Sequence, residues 1–147
     1  MLEIQTKQFS ELNTNELYSL LQLRSEVFVV EQDCVNQDLD GKDKKALHVL
    51  GLKNDRLVAY TRIFKPGDYF KEASIGRVVV LESERKHKYG YDIMEASIKA
   101  IKVNFNENFI KLSAQVYLKK FYNNLGFKAI GEEYLEDGIP HIQMIRN

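Results

Sequence analysis

Between Ile75 and Ile101 the chain passes from an apolar strand pattern (Ile75, Val78, Val79, Val80, Leu81) through a cationic turn (Arg85, Lys86, His87, Lys88, Tyr89, Gly90) into a two-faced helix. At about 100° per residue, Ile93, Met94, Ser97, Ile98 and Ile101 share one arc, while Asp92, Glu95, Lys99 and Lys102 take the other. Such a helix must pack on a sheet. Because the apolar run Phe109 to Gln115 follows it, the unit reads as strand, crossover helix and parallel strand. The helix start leaves several backbone N–H groups unpaired at one place, backed by the helix dipole, which is a phosphate-binding arrangement. Arg85, Lys86 and Lys88 add positive charge around Gly90, a residue that lets a ligand approach the backbone, so a pyrophosphate-bearing cofactor is the first candidate.

The rest of the pattern adds a hairpin on one side and a second hairpin at the end. Leu2 to Phe9 alternates as a first strand, and Asn13 with Glu16 forms a capping pair that opens a helix predicted to run to about Val29. An acidic, turn-rich segment spans Glu31 to Lys45. Two apolar runs, Ala46 to Leu52 and Leu57 to Phe64, flank Lys53, Asn54, Asp55 and Arg56 as a hairpin would. Pro66 and Gly67 break the chain before the Ile75 strand. Beyond Gln115 the pattern predicts a short helix from Val116 to Asn124 ended by Gly126, then two strands around Glu136, Asp137 and Gly138. An antiparallel hairpin joined to a parallel unit makes the class α/β with a mixed central sheet.

Composition narrows the partners. A length of 147 residues predicts one domain over the whole chain, and equal numbers of basic and acidic residues, 21 each, argue against a dedicated nucleic-acid binder. The single Cys34 excludes an internal disulfide, and with no leader pattern or long apolar run the expectation is a cytoplasmic protein with no membrane association.

Three stretches together resemble the GNAT N-acetyltransferase superfamily. The strand Gly76 to Val80 with the turn Arg85 to Gly90 looks like the superfamily's acetyl-CoA motif, Q/R-x-x-G-x-G/A, with Arg85 in its first place, Gly90 in its last and Lys88 where the middle glycine usually stands. Phe121, Tyr122, Asn123, Asn124, Leu125, Gly126 and Phe127 are similar to its F-Y-x-x-x-G-F signature. The segments Leu23 to Gln32, Gln37 to Gly41 and Tyr134 to Ile142 resemble the ElaA-like subfamily, so the likeness covers nearly the whole chain. It implies a mixed, mostly antiparallel central sheet flanked by helices around a βαβ acetyl-CoA-binding core.

The resemblance also implies a reaction: transfer of an acetyl group from acetyl-CoA, with no metal, to an amine of a small molecule or protein, by direct attack on the thioester. It implies cofactor contacts at Val78, Val79, Val80, Arg85, Lys86, His87, Lys88, Tyr89, Gly90, Tyr91 and Asn123, with a backbone N–H near Val79 or Val80 facing the thioester oxygen. Tyr122 takes the role of general acid toward the departing thiolate. For the general base the candidates are Glu31, His48, Glu132 and His141, and His141 ranks first for its place in the subfamily segment. Phe28, Glu31 and Arg24 are assigned to the acceptor pocket, which the first helix, the acidic loop and the terminal strands would build.

Arg24 draws attention without any family. It projects from the apolar arc of Leu17, Leu20, Leu21, Val27 and Phe28, at about 340° when Leu17 is zero, so it must face a ligand or pair with a carboxylate such as one in the acidic loop. Asn36, Asp38, Asp40 and Gly41 mimic the start of a calcium loop, but Leu47 stands where its bidentate Glu belongs, and no metal site is assigned. Cys34 reads as a free structural thiol. A non-catalytic acyl-CoA sensor on the same scaffold, suggested by Lys88, is the runner-up. A phosphotransferase ranks last because the G-x-x-x-x-G-K-[ST] loop is missing. Apolar strand edges near the C-terminus allow a monomer or a homodimer.

Overall fold

The computed structural model describes residues 2–147. Its seven strands, β1 (Glu3–Gln8), β2 (Leu47–Lys53), β3 (Arg56–Phe64), β4 (Ala73–Val80), β5 (Ile110–Gln115), β6 (Lys128–Glu136) and β7 (Ile139–Arg146), form one sheet in the order β1-β2-β3-β4-β5-β7-β6. Only β4 and β5 run parallel, and every other pair is antiparallel. The predicted mixed sheet is therefore present. Its helices are α1 (Thr14–Ser25), α2 (Tyr89–Phe105) and α3 (Lys119–Asn124).

Local chemistry explains the boundaries. Asn13 accepts from the Glu16 N–H while the Glu16 carboxylate accepts from the Asn13 N–H, a complete capping box at the start of α1. Asn54 and Asp55 sit at φ 50° and 65°, and Asp137 and Gly138 at 53° and 77°, so both hairpins close through two left-handed residues whose twist suits the strands. The first helix does not simply fade at Val29. After Ser25 the chain continues as a π-helical segment, Glu26–Glu31, in which Val27 is buried.

The core has two parts. One lies under α2, where Ile93, Met94 and Ile101 pack with Val49, Ile63, Ile75 and Leu112. Ser97, on the same arc, donates to the Ile93 carbonyl at 2.7 Å and accepts from Thr61 on β3 at 2.5 Å, so no buried hydroxyl is stranded there. The other lies under α1, where Leu20, Leu23 and Val27 meet Leu50, Tyr60 and Val79. Strand β4 touches both, which makes its shape the link between the two halves of the sheet.

That shape is irregular. Gly76 opposes Arg62 but Val79 opposes Tyr60, so Arg77 and Val78 together face Thr61, a β-bulge with Arg77 at φ 51°. On the other side β4 pairs with β5 only at Ala73 and Ser74, and beyond Ser74 the two strands diverge.

Candidate active site

The gap left by the divergence of β4 and β5 opens into a cavity of about 490 Å³. Backbone geometry sets its first chemical feature. Leu81 N–H donates to the Val58 carbonyl at 2.8 Å, and since N–H directions alternate along a strand, Val79 faces Tyr60 while the Val80 N–H turns away from β3 into the gap. The Val80 carbonyl points the same way and accepts from Arg85 Nε at 3.1 Å. Of the two amides named from sequence, Val80 is the free one and Val79 is committed to the sheet.

The cationic turn is held by its backbone. It is a 3₁₀ segment, Glu82–His87, followed by Lys88 at φ 61° and ψ 29°, the left-handed conformation that the missing glycine would adopt freely. Helix α2 starts without a side-chain cap, and the Lys88 and Tyr91 N–H groups bond to Arg85 and Lys88 carbonyls, leaving the Tyr89 and Gly90 N–H groups without intrahelical partners. Lys88, Gly90 and Tyr91 line the cavity. Gly90 has a packing role as well: a Cβ there would come 3.2 Å from the Phe121 ring.

Several turn residues depart from expectation. Arg85 grips Glu31 through two hydrogen bonds of 2.5 and 2.7 Å, so its guanidinium bridges the turn to the π-helical segment and does not stand free for a pyrophosphate. Lys86 and His87 are exposed off the cavity wall, and the Tyr89 ring is buried against that of His87. Asn123 also lies outside the cavity. Its neighbour Asn124 is the one that reaches across, donating to the Tyr91 hydroxyl at 3.0 Å.

Tyr122 stands on α3, on the cavity wall. Helix α3 ends in a Schellman arrangement: Gly126, at φ 91°, donates to the Asn123 carbonyl at 3.0 Å and Phe127 donates to that of Tyr122 at 3.1 Å. The Tyr122 ring meets the edges of Phe121 and Phe127, with centroids 5.0 and 6.1 Å away. Its side chain is buried yet lines the cavity, and burial pushes its hydroxyl well above the ordinary phenol value, with the neighbouring Tyr117 acting in the same direction. The hydroxyl therefore keeps its proton.

At the far end of the cavity, His141 donates from Nδ1 to the Ile139 carbonyl at 2.7 Å. This selects the tautomer whose Nε2 carries a lone pair, and that nitrogen sits 3.5 Å from Glu136 Oε2. Tyr134 stacks on the imidazole and its hydroxyl bonds Ser113, which also lines the wall.

Other candidate bases fall away. His48 is fully buried beyond the cavity, donating from Nε2 to the Asp43 carbonyl at 2.9 Å and accepting from the Tyr60 hydroxyl at 2.6 Å, and burial lowers its pKa. Glu132 is exposed outside the site. Glu31 lines the cavity, but both carboxylate oxygens are engaged by Arg85, which removes it as a free base. Phe28 lines the wall.

Arg24 requires the clearest correction. It is 0 % exposed and is not a cavity residue: its Nε donates to Asp38 Oδ2 at 2.9 Å and its NH1 to Asp43 Oδ1 at 2.8 Å. Arg62, equally buried, joins Asp40 and Asp43, and Arg77 joins Asp38. Burial raises the Asp40 pKa, but the hydrogen bond from Arg62, the Lys42 N–H and the charges of Arg62 and Arg77 outweigh it and hold the carboxyl well below the usual range. In Asp43 burial is likewise outweighed, by Arg24 and Arg62. The acidic loop is thus pinned by arginines.

Sequence reasoning missed Arg77, Gln32, Ser113, Gln115 and Glu136, all on the cavity wall. Only Arg77 carried a usable signal, as a lone cation inside an apolar strand.

A family model described as an acetyltransferase (GNAT) domain matches residues 9–147. The chain is 46 % identical to protein ElaA of Escherichia coli K12 over 99 % of its own length and 97 % of that protein's. It superposes on the crystal structure of E. coli ElaA with a TM-score of 0.92 at 45 % identity, covering 100 % of both chains. An acyl-CoA N-acyltransferase from Pseudomonas aeruginosa gives a TM-score of 0.93 at 40 % identity, again with 100 % of both chains covered. An aminoglycoside 6'-N-acetyltransferase solved with coenzyme A shares the fold alone, at 17 % identity and a TM-score of 0.72 over 97 % of this chain and 96 % of that one. Among the described residues no helix is long and apolar enough to cross a membrane. The chain belongs to the GNAT acetyltransferase family and, within it, is a relative of ElaA.

Proposed function

We propose that the protein transfers an acetyl group from acetyl-CoA to an amine by direct attack on the thioester. The observation that carries this reading is the pairing, in one cavity, of an inward-facing Val80 N–H with a buried, protonated Tyr122 hydroxyl. The open Tyr89 and Gly90 N–H groups and the Lys88 ammonium suit the cofactor's pyrophosphate, and the gap between β4 and β5 suits its extended arm. Acetyl-CoA supplies the activated acyl group, and the residues of the chain supply the rest.

His141 Nε2 takes a proton from the acceptor ammonium, and Glu136 stabilises the imidazolium so formed. The freed amine attacks the thioester carbon. As the carbonyl oxygen gains charge, the Val80 N–H donates to it, and such a preorganised donor is worth about 3 to 4 kcal/mol in other enzymes. Collapse breaks the carbon–sulfur bond: Tyr122 gives its proton to the departing thiolate and regains one from the nitrogen, which sheds its extra proton as the amide forms. Positioning the two substrates together contributes more than any one of these groups: roughly 7 to 11 kcal/mol against about 3 to 5 kcal/mol for a single acid or base. The acceptor end, with Glu136 and Asp137 on its wall, suits a cationic amine of a small molecule or a protein.

The alternative, a non-catalytic acyl-CoA sensor, was motivated by Lys88. Its left-handed backbone keeps the turn in the form a glycine would give, so Lys88 gives no ground for preferring a sensor over an enzyme. Thiol release from acetyl-CoA across a panel of amines is the direct test. Tyr122→Phe should lower kcat by about 10²-fold while leaving acetyl-CoA affinity within threefold. Equal turnover in the two proteins would remove Tyr122 from the mechanism, and calorimetry showing no acetyl-CoA binding would defeat the reading altogether.

A further inference from the structure

Arg77 holds a backbone conformation that its side chain does not favour. At φ 51° inside β4 it carries a strain of about 1 to 3 kcal/mol, which glycine would not feel. Yet the glycine of this strand stands one place earlier, at Gly76, where φ is not left-handed and an added Cβ would meet nothing within 4 Å. The strained position keeps an arginine, so something about the guanidinium outweighs the strain.

The guanidinium is tied down on one face. Arg77 Nε donates to Asp38 Oδ1 at 2.7 Å and NH2 to the Asp38 carbonyl at 2.9 Å. The second carboxylate oxygen of Asp38 takes Arg24 Nε at 2.9 Å, and the same carbonyl takes Arg24 NH2 at 3.2 Å. Arg24, in the last turn of α1, is wholly buried, so the chain Arg24, Asp38, Arg77 runs from a helix through the loop to the bulge. Arg77 NH2 also lies 3.6 Å from Asp40 Oδ2.

The bulge decides which amide reaches the gap. Strand alternation means that a slip of one residue exchanges inward and outward groups, so without the extra residue at Arg77 and Val78 the N–H of Val79 would take the place of that of Val80. Building on the acyl-transfer reading above, we propose that Arg77, anchored by Asp38, is a positioning residue: it holds the β4 bulge so that the Val80 N–H meets the thioester oxygen.

Two variants test this. Arg77→Gly removes the tie and relieves the strain together, and Arg77→Lys keeps the charge but loses the forked grip on Asp38. The expected result for Arg77→Gly is a melting temperature within a few degrees of wild type, a calorimetric Kd for CoA within threefold, and a thiol-release kcat lowered at least tenfold, with Arg77→Lys in between. In amide spectra of labelled protein, the Val80 resonance should respond to acetyl-CoA in the wild type and lose that response in Arg77→Gly. Unchanged kcat in Arg77→Gly would overturn the proposal. So would a loss of kcat that simply follows a fall in melting temperature and that Arg77→Lys does not soften. Should the wild type bind acetyl-CoA without releasing thiol to any amine, the acyl-transfer reading fails by itself. The Val80 resonance then still decides the role of Arg77, and an identical response in both proteins would refute it.

Discussion

The turn at residues 82–90 and the acidic loop at residues 33–46 both bring charge to the cavity, yet backbone hydrogen bonds shape the first and side chains pin the second. In the turn, Glu84, Lys88 and Tyr91 N–H groups bond to carbonyls three residues back, while Lys86, His87 and Lys88 project into solvent. In the loop, Asp38, Asp40 and Asp43 are gripped by Arg24, Arg62 and Arg77, of which the first two are fully buried. An exposed charge is screened by water and can be removed at little cost, whereas a buried one leaves its partners uncompensated. The two walls should therefore respond very unequally to the loss of a charge.

The largest expected effect is in the loop. Arg24→Met removes a buried cation from between Asp38 and Asp43, and should lower the unfolding free energy by about 3 to 5 kcal/mol in urea titrations. Lys86→Ala, in the turn, should shift the same curve by no more than about 0.5 kcal/mol. Similar shifts for the two would erase the distinction.

Acid should loosen the same region next, with a smaller effect because a protonated carboxyl can still accept hydrogen bonds. Asp40 and Asp43 both stand below the ordinary carboxylate value in the folded chain, so the unfolded chain takes up protons first as pH falls. Their contribution is complete above the unfolded value of about 4 and is lost on going below it. His48 adds an earlier stage with the same sign. Burial lowers its pKa, so the unfolded chain is protonated ahead of the folded one once pH drops below about 6.5. Urea midpoints measured from pH 7 to pH 3 should fall in these two stages, and His48→Gln should abolish the first. A flat profile over the range would show that these carboxylates and His48 do not govern stability.

The contrast also explains what the sequence made legible. Hairpin turns, the Asn13 capping box and the Gly126 helix end depend on residues within a few places of one another, so their chemistry could be read in order. The backbone N–H at Val79 or Val80 and the role given to Tyr122 came from the resemblance. The charge partners were hidden because they are remote: Glu31 and Arg85 are 54 residues apart, and Asp38 and Arg77 are 39. An apolar arc showed that Arg24 needed a partner but not which of its two readings held. The π-helical segment left no trace, since Val27, Phe28, Val29 and Val30 suit an ordinary helix just as well. The bulge at Arg77 was equally hidden, because the left-handed residue there is an arginine and the glycine beside it at Gly76 is not left-handed.

A smaller effect than in the loop is expected at Lys88, where the two kinds of construction meet in one residue. Its backbone has the left-handed shape that lets the Tyr89 and Gly90 N–H groups face outward together, and its side chain is an exposed cation. Lys88→Gly keeps the first property and deletes the second. Relief of the positive φ is partly offset by the greater freedom of glycine in the unfolded chain, so stability should rise by no more than about 1 kcal/mol. Acetyl-CoA affinity measured by calorimetry should weaken by less than tenfold, because the amides and the helix dipole persist. Lys88→Ala keeps the strain and also deletes the charge, so it should match the affinity of Lys88→Gly if the conformation survives. A much larger loss in both variants would mean that the ammonium, not the backbone, holds the pyrophosphate, and the turn would then belong with the loop as a wall held by side chains.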